Sequence, residues 1–138
     1  MPAKDLFHDI VKNALIQEGW QITHDPFPVR FGFVGMYIDL GAEKLIAAEK
    51  GEKKIAVEIK SFLGESDISE FHTALGQFLS YRLALKNLEP ERMLYLAVPE
   101  ETYNSFFSLP FMQLAIDEYE IKILVYSPEK ENIKRWTK

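Results

Sequence analysis

Met93-Leu94-Tyr95-Leu96-Ala97-Val98 is an unbroken apolar run closed by Pro99, and it constrains the fold more than any other stretch of the chain. A strand without polar alternation has no face to give to water, so it belongs inside a sheet covered on both sides. Ile121–Tyr126 reads as another buried strand. The covering helices are also legible. In the first segment, Leu6, Phe7, Ile10, Val11, Ala14 and Leu15 form one apolar stripe, which Gly19 ends. Asp67-x-x-Glu70 has the form of a capping box. It opens a helix whose apolar positions Ile68, Phe71, Leu75, Phe78, Leu79 and Leu85 carry it to about Leu88, just before Pro90. Glu101–Tyr119 is mostly helical, with a bend expected at Pro110.

The remaining strands are shorter. Trp20–Thr23 precedes the loop HDPFPVRFG, in which Pro26 and Pro28 sit, and Met36–Leu40 reads as the next strand. Leu45–Lys50 and Ile55–Ser61 flank the turn Gly51-Glu52-Lys53-Lys54 and predict a hairpin. Asn132–Trp136 reads as a last edge strand. The order is helix, three strands, helix, strand, helix, strand. A meander followed by helical crossovers gives an α/β fold with a mixed central sheet and helices on its faces. With no linker, repeat or low-complexity tract, residues 1–138 are expected to form a single domain.

The chemistry concentrates in Ile55-Ala56-Val57-Glu58-Ile59-Lys60. Side chains alternate along a strand, so Ile55, Val57 and Ile59 share one face while Glu58 and Lys60 share the other. A carboxylate beside an ammonium can bind a hard cation and polarise a water next to it. The lysine, a compact point charge, can stabilise a developing oxyanion. The same alternation also fits a half-exposed strand whose polar residues face water. A magnesium site is better served by a second acid, and Asp39 stands upstream in the apolar setting Tyr37-Ile38-Asp39-Leu40. Asp39 would equally serve as a turn residue before Gly41. Counting from the Glu52 turn pairs Glu58 with Leu45 or Ile46, which makes Glu43 the substitute acid unless a bulge near Gly41 brings Asp39 in.

Several classes are excluded or made less apt by composition. The chain lacks cysteine, so disulfides, thiolate metal sites and cysteine nucleophiles are ruled out. No apolar run is long enough for a membrane span, and MPAKDLFHDI lacks the layout of a signal peptide. A cytoplasmic location is expected. No P-loop, dinucleotide fingerprint, zinc pattern or serine elbow occurs. Trp20, Phe71, Phe78, Phe106 and Phe107 sit at core spacing rather than as base-stacking platforms. The net charge of -5 matters for DNA, because phosphate contacts dominate nucleic-acid affinity. A bound metal ion, a local basic patch or a partner would have to offset it.

An acid before a hairpin, E-x-K closing it and an amphipathic helix behind resemble the PD-(D/E)xK superfamily of restriction enzymes and junction resolvases. That resemblance implies a restriction-endonuclease-like α-β-β-β-α-β core. It also implies that Asp39 and Glu58 hold Mg2+ and that Lys60 activates or orients the attacking water on DNA. Members commonly add an acid from the first helix. His8 lies about 20° beyond Leu15 at the edge of the apolar stripe, taking about 100° per residue. It is the candidate here, and a boundary histidine packing its ring is the plainer alternative. Gln77 and Tyr81, four apart on one helical face, match the Q-x-x-x-Y spacing that follows E-x-K in RecB-like nucleases. A polar flank on an otherwise apolar helix would look the same.

A more specific resemblance runs along nearly the whole chain. MPAKDLFHDIVKNAL, YIDLGAEKLIAAEK, KIAVEIKSFLG, ALGQFLSYR and LYLAVPE, in that order, are similar to the XisH family. This family is the fdxN-element excision controlling factors of cyanobacteria. The resemblance implies a role in programmed excision of a DNA element beside a XisI-like partner protein, with a separate recombinase performing strand exchange. A non-catalytic regulatory protein, binding that partner or DNA as a homodimer, is the alternative to a magnesium-dependent endodeoxyribonuclease.

Overall fold

The computed structural model describes residues 3–31, 34–36 and 45–137. Its largest feature is a six-stranded sheet in the order β1-β4-β5-β6-β7-β8. These strands are β1 (Gln21–His24), β4 (Leu45–Lys50), β5 (Lys53–Ile59), β6 (Arg92–Pro99), β7 (Ile123–Ser127) and β8 (Asn132–Trp136). The pairs β5–β6 and β6–β7 are parallel, whereas β1–β4, β4–β5 and β7–β8 are antiparallel. The sheet is therefore mixed, and the apolar run at residues 93–98 lies inside it as expected. A separate two-stranded sheet pairs β2 (Val29–Phe31) with β3 (Val34–Met36).

Helices cover both faces. Helix α1 (Ala3–Gln17) packs Ile10, Val11 and Leu15 against Ile46, Ile55, Val57, Ile59, Leu124 and Tyr126. On the other face lie α2 (Asp67–Leu88) and α4 (Pro110–Glu118), with α3 (Glu100–Ser105) leading into α4. Phe71, Phe78, Tyr81, Leu85 and Met112 pack there with Ala56, Leu94, Leu96, Val98, Ile123 and Val125. Strand β5 is thus read alternately by two helical layers, with Val57 and Ile59 towards α1 and Ala56 towards α2.

Local chemistry explains where the elements begin and end. The β4–β5 hairpin closes over Gly51 and Glu52, shorter than the four-residue turn expected, because Gly51 takes a φ of 60° that a tight hairpin turn demands. Helix α2 is capped by Ser66, whose hydroxyl accepts from the Ser69 N–H at 3.2 Å, so the cap falls one residue before the predicted Asp67. Glu70 instead accepts from the Gly64 N–H at 2.7 Å. A Cβ at Gly64 would lie 3.0 Å from the Glu70 carboxyl carbon, so any larger residue there would push the Glu70 side chain aside. Pro110 does not bend one long helix. It stands at the first turn of α4, separating it from α3, where a missing N–H costs nothing.

Three other expectations change. The segment read as a loop, HDPFPVRFG, contains β2, and its partner β3 follows just beyond that loop and ends on Met36, where the expected strand began; each is only three residues long. Met36 ends β3, and residues 37–40 of the expected strand lie outside the described residues. Leu6, assigned to the buried stripe, is 50% exposed. Both edge strands, β1 and β8, carry a register shift that disturbs their ladders. Bulges of this kind blunt an edge against pairing with another chain. Among the described residues no helix is long and apolar enough to cross a membrane.

Candidate functional site

Glu58 pairs with Leu45 on β4, the register counted from the turn, and with Leu96 on β6. It therefore lies between two neighbouring strands and is 2% exposed. Lys60 follows the last residue of β5, yet its N–H still donates to the Ala97 carbonyl at 3.0 Å. Its ammonium nitrogen is 3.9 Å from Glu58 Oε2, and the residue is 7% exposed. The two side chains share one side of the strand, as alternation predicted. They do not face water, so the half-exposed reading of this strand fails. Burying a carboxylate and an ammonium is costly unless each meets opposite charge or hydrogen bonds. Such a pair is found where the surrounding structure holds it in place.

That holding structure is visible just past the strand. The buried Tyr126 hydroxyl donates to the Lys60 carbonyl at 3.0 Å, tying the end of β5 to β7. Phe62 has a φ of 54°, left-handed backbone that a bulky residue adopts only when its surroundings demand it. Its ring packs at 5.5 Å from Phe107 and 6.4 Å from Phe106, which secures the turn. Lys60 thus stands on backbone fixed by β6 before it, β7 beside it and an aromatic cluster behind it.

The other candidates fall in different places. By alternation along β5, Glu58 points to the side covered by α2. Gln77 and Tyr81 belong to that helix; Gln77 is half-buried, and Tyr81 is 3% exposed within the core cluster. Tyr81 is accordingly not part of a solvated polar flank. His8 lies on α1, which packs against the opposite face. Its Nε2 meets Asp25 Oδ1 at 2.9 Å, and Lys12 reaches Asp25 Oδ2 at 2.9 Å. The described contacts of His8 thus join it to Asp25 rather than to Glu58 or Lys60. Asp39 and Glu43, the alternative second acids, lie outside the described residues.

Two charged residues that sequence reasoning passed over organise the surroundings. Burial pushes the Asp25 carboxyl up, but hydrogen bonds and charge from Lys12 and His8 outweigh it and hold the group below its ordinary value of 3.8. Arg92, at the other end of β5 from Glu58, is buried. It donates to the Ile55 carbonyl at 2.9 Å and contacts Glu89 at 3.1 Å and Glu49 at 3.5 Å, with its guanidinium 5.1 Å from the Phe27 ring centre. Only its place at the head of an apolar strand could have flagged it.

Among the described residues no group of three or more His, Cys, Asp or Glu side chains could by itself hold a metal ion. Glu58 alone is still compatible with magnesium, which commonly takes one or two carboxylates and completes its octahedron with waters and substrate phosphates. The buried carboxylate is a hard oxygen donor of the right kind, with the Lys60 ammonium 3.9 Å away.

A family model described as XisH protein matches residues 1–134. Two crystal structures are similar over nearly the whole chain. An XisH family protein from Nostoc punctiforme PCC 73102 is 52% identical, with a TM-score of 0.90 over 97% of this chain and 100% of that one. A fdxN element excision controlling factor protein from Anabaena variabilis is 53% identical, with a TM-score of 0.89 over 97% of this chain and 99% of that one. No curated protein matches the chain.

Proposed function

The chain belongs to the XisH family, and from that premise we propose that it controls excision of a DNA element through a restriction-endonuclease-like core. The support for the role is the similarity, over nearly full length, to a protein described as a fdxN element excision controlling factor. The support for the chemistry is one observation, the Glu58–Lys60 pair held at 3.9 Å in the sheet interior. Glu58, with Asp39 or Glu43, would hold Mg2+. The ion, when bound, supplies charge for the attacking water and the developing phosphorane. Lys60 offers its ammonium to the same phosphate oxygens. Tyr81 and Gln77 support the site from α2, whereas His8, engaged with Asp25 beside the opposite face of the sheet, has no part in it.

The test is calorimetric titration of the full chain with Mg2+ or Mn2+, wild type against Glu58→Ala, followed by cleavage assays on DNA with the same pair. Binding and cleavage lost together on substitution are the expected result. Metal binding indifferent to Glu58 would remove the basis for the site.

A second reading is favoured by the acidic balance of the chain: a regulatory protein that keeps the fold, binds a XisI-like partner as a homodimer and cuts nothing. An acidic surface suits a protein partner better than naked phosphates. Copurification of a partner with a chain that binds no divalent ion would decide for it.

A further inference from the structure

The end of β5 away from Glu58 carries a second constellation that the reading above leaves unused. A cleft of ≈600 Å³ is lined there by Trp20, Tyr95, Trp136, Lys50, Lys53 and Lys54. Its size is within the range of small-ligand sites. Trp136 meets the Tyr95 ring edge-on at 4.9 Å and lies 5.9 Å from the Trp20 ring, tilted by 36°. Trp20 is core, as the sequence predicts, at 9% exposure, whereas Tyr95 and Trp136 are only half-buried. Aromatic surface therefore remains open in the cleft.

The lysines are placed in an unusual way. Lys50 and Lys53 face each other as the last register pair of the β4–β5 hairpin. Like charges directly opposite across a hairpin are destabilising, and neither lysine has a salt bridge among the described residues. Lys50 is steadied by lying over the Trp20 ring at 6.0 Å and by passing Gly19, where an added Cβ would be 3.4 Å from its Cε. Three acids also line the cleft. Glu91 faces Lys54 at 3.7 Å, Glu18 accepts from Trp136 Nε1 at 3.3 Å, and Glu52 lies in the turn. Of the three lysines only Lys54 is paired with an acid, so Lys50 and Lys53 stand opposite each other, without a salt bridge among the described residues, next to an aromatic wall. An anion relieves the first feature, and a planar ring uses the second.

We propose that this cleft binds a nucleotide unit, with the base against Trp136 and Tyr95 and the phosphate between Lys50 and Lys53. Stacking on aromatic rings beside a cationic track is how single strands are held without sequence preference. A free nucleotide offers the same chemistry. The inference uses no residue of the Glu58 site and needs no metal, so it can fail or stand separately.

Both tryptophans of the chain line this cleft, so intrinsic fluorescence reports directly on its occupancy. The full chain is titrated in EDTA with deoxyadenosine monophosphate and, separately, with an oligomer of about eight deoxyadenosines. Saturable quenching is expected, weakened about tenfold by Lys53→Glu and weakened further by added salt. Lys53 is exposed in the turn region, and its reversal places opposite charge across from Lys50, so folding is retained. Trp136→Leu should cost affinity by about tenfold, the lower part of a base-stacking loss. Comparable affinity for both ligands identifies a free-nucleotide site, and preference for the oligomer identifies a strand-binding site. No saturable quenching by either, or unchanged affinity in Lys53→Glu, would overturn the proposal.

Discussion

Replacing Lys60 by Met removes a cation 3.9 Å from the Glu58 carboxylate while keeping most of the length and volume of the side chain. At that separation two unit charges attract by about 4 kcal/mol for an effective dielectric constant of about 20. Both side chains are enclosed, at 3% exposure for Glu58 and 9% for Lys60, so solvent screening recovers little. Breaking a buried pair from one side costs about 3–5 kcal/mol, in agreement with the Coulomb figure. For a chain of 138 residues the unfolding entropy near 60 °C is about 290 cal/mol/K, so about 4 kcal/mol lowers Tm by about 14 °C. Thermal and urea melts followed by circular dichroism measure both quantities. The double variant Glu58→Gln/Lys60→Met should recover most of the loss, because replacing both members of a buried pair is often close to neutral. If Glu58 is also a metal ligand, Mg2+ takes over the role of the missing ammonium. Saturating magnesium should then raise the Tm of Lys60→Met by more than that of wild type and leave the double variant unmoved. A Lys60→Met protein within about 1 kcal/mol of wild type would refute the reasoning, since the carboxylate would not depend on its neighbour.

Two further outcomes follow from the buried charges. Arg92→Met should cost about 3 kcal/mol, the low end for a broken buried pair because its partners Glu49 and Glu89 are about one-third exposed. Arg92→Lys should restore less than half, since an ammonium cannot serve Ile55, Glu89 and Glu49 together; urea midpoints give both values. Asp25 has a carboxyl held below its ordinary value of 3.8, so its contribution is full above that value and is lost as pH falls through the depressed one. The stability gap between wild type and Asp25→Asn, about 1 kcal/mol for partly exposed ion pairs, should close in strong acid, as the carboxyl is protonated in both states. A gap that widened in acid would contradict that sign.

Legibility in the sequence followed the strength of the local pattern. The run at 93–98 and the hairpin before α2 were readable because burial on both faces and a two-residue period leave few alternatives. Counting from the turn narrowed the partner of Glu58 to Leu45 or Ile46, and it is Leu45. The β2–β3 hairpin was not readable: three residues per strand do not span a period, and the prolines at 26 and 28 read as loop. Nor could the sequence reveal that His8 and Lys12 both turn to Asp25. That contact depends on where β1 ends relative to α1, a tertiary fact with no spacing signature. The burial of Glu58 and Lys60 was likewise set by neighbours from β6, β7 and α2 rather than by anything in the E-x-K string.

The net negative charge is unevenly spread over the molecule. A cleft of ≈800 Å³ at the far ends of β5, β6 and β7 is lined by Asp67, Glu100, Glu101 and Glu129 and by no lysine or arginine. Those four are among 21 acidic residues in the chain and meet no basic residue in the lining of this cleft. Three of them have a local cause. Asp67 stands in the first turn of α2, and Glu100 and Glu101 stand in the first turn of α3, where the positive end of the helix dipole favours carboxylates. The sign of those three reflects helix initiation, and the acidic end of the molecule they mark is distinct from the aromatic cleft at the other end of the sheet. At the opposite end, lysines and acids are equal in number around the aromatic cleft, and one of each is taken up in the Lys54–Glu91 pair, leaving Lys50 and Lys53 opposite each other on the hairpin. Salt dependence measured there should report the Lys50–Lys53 pair rather than the acidic balance of the chain as a whole.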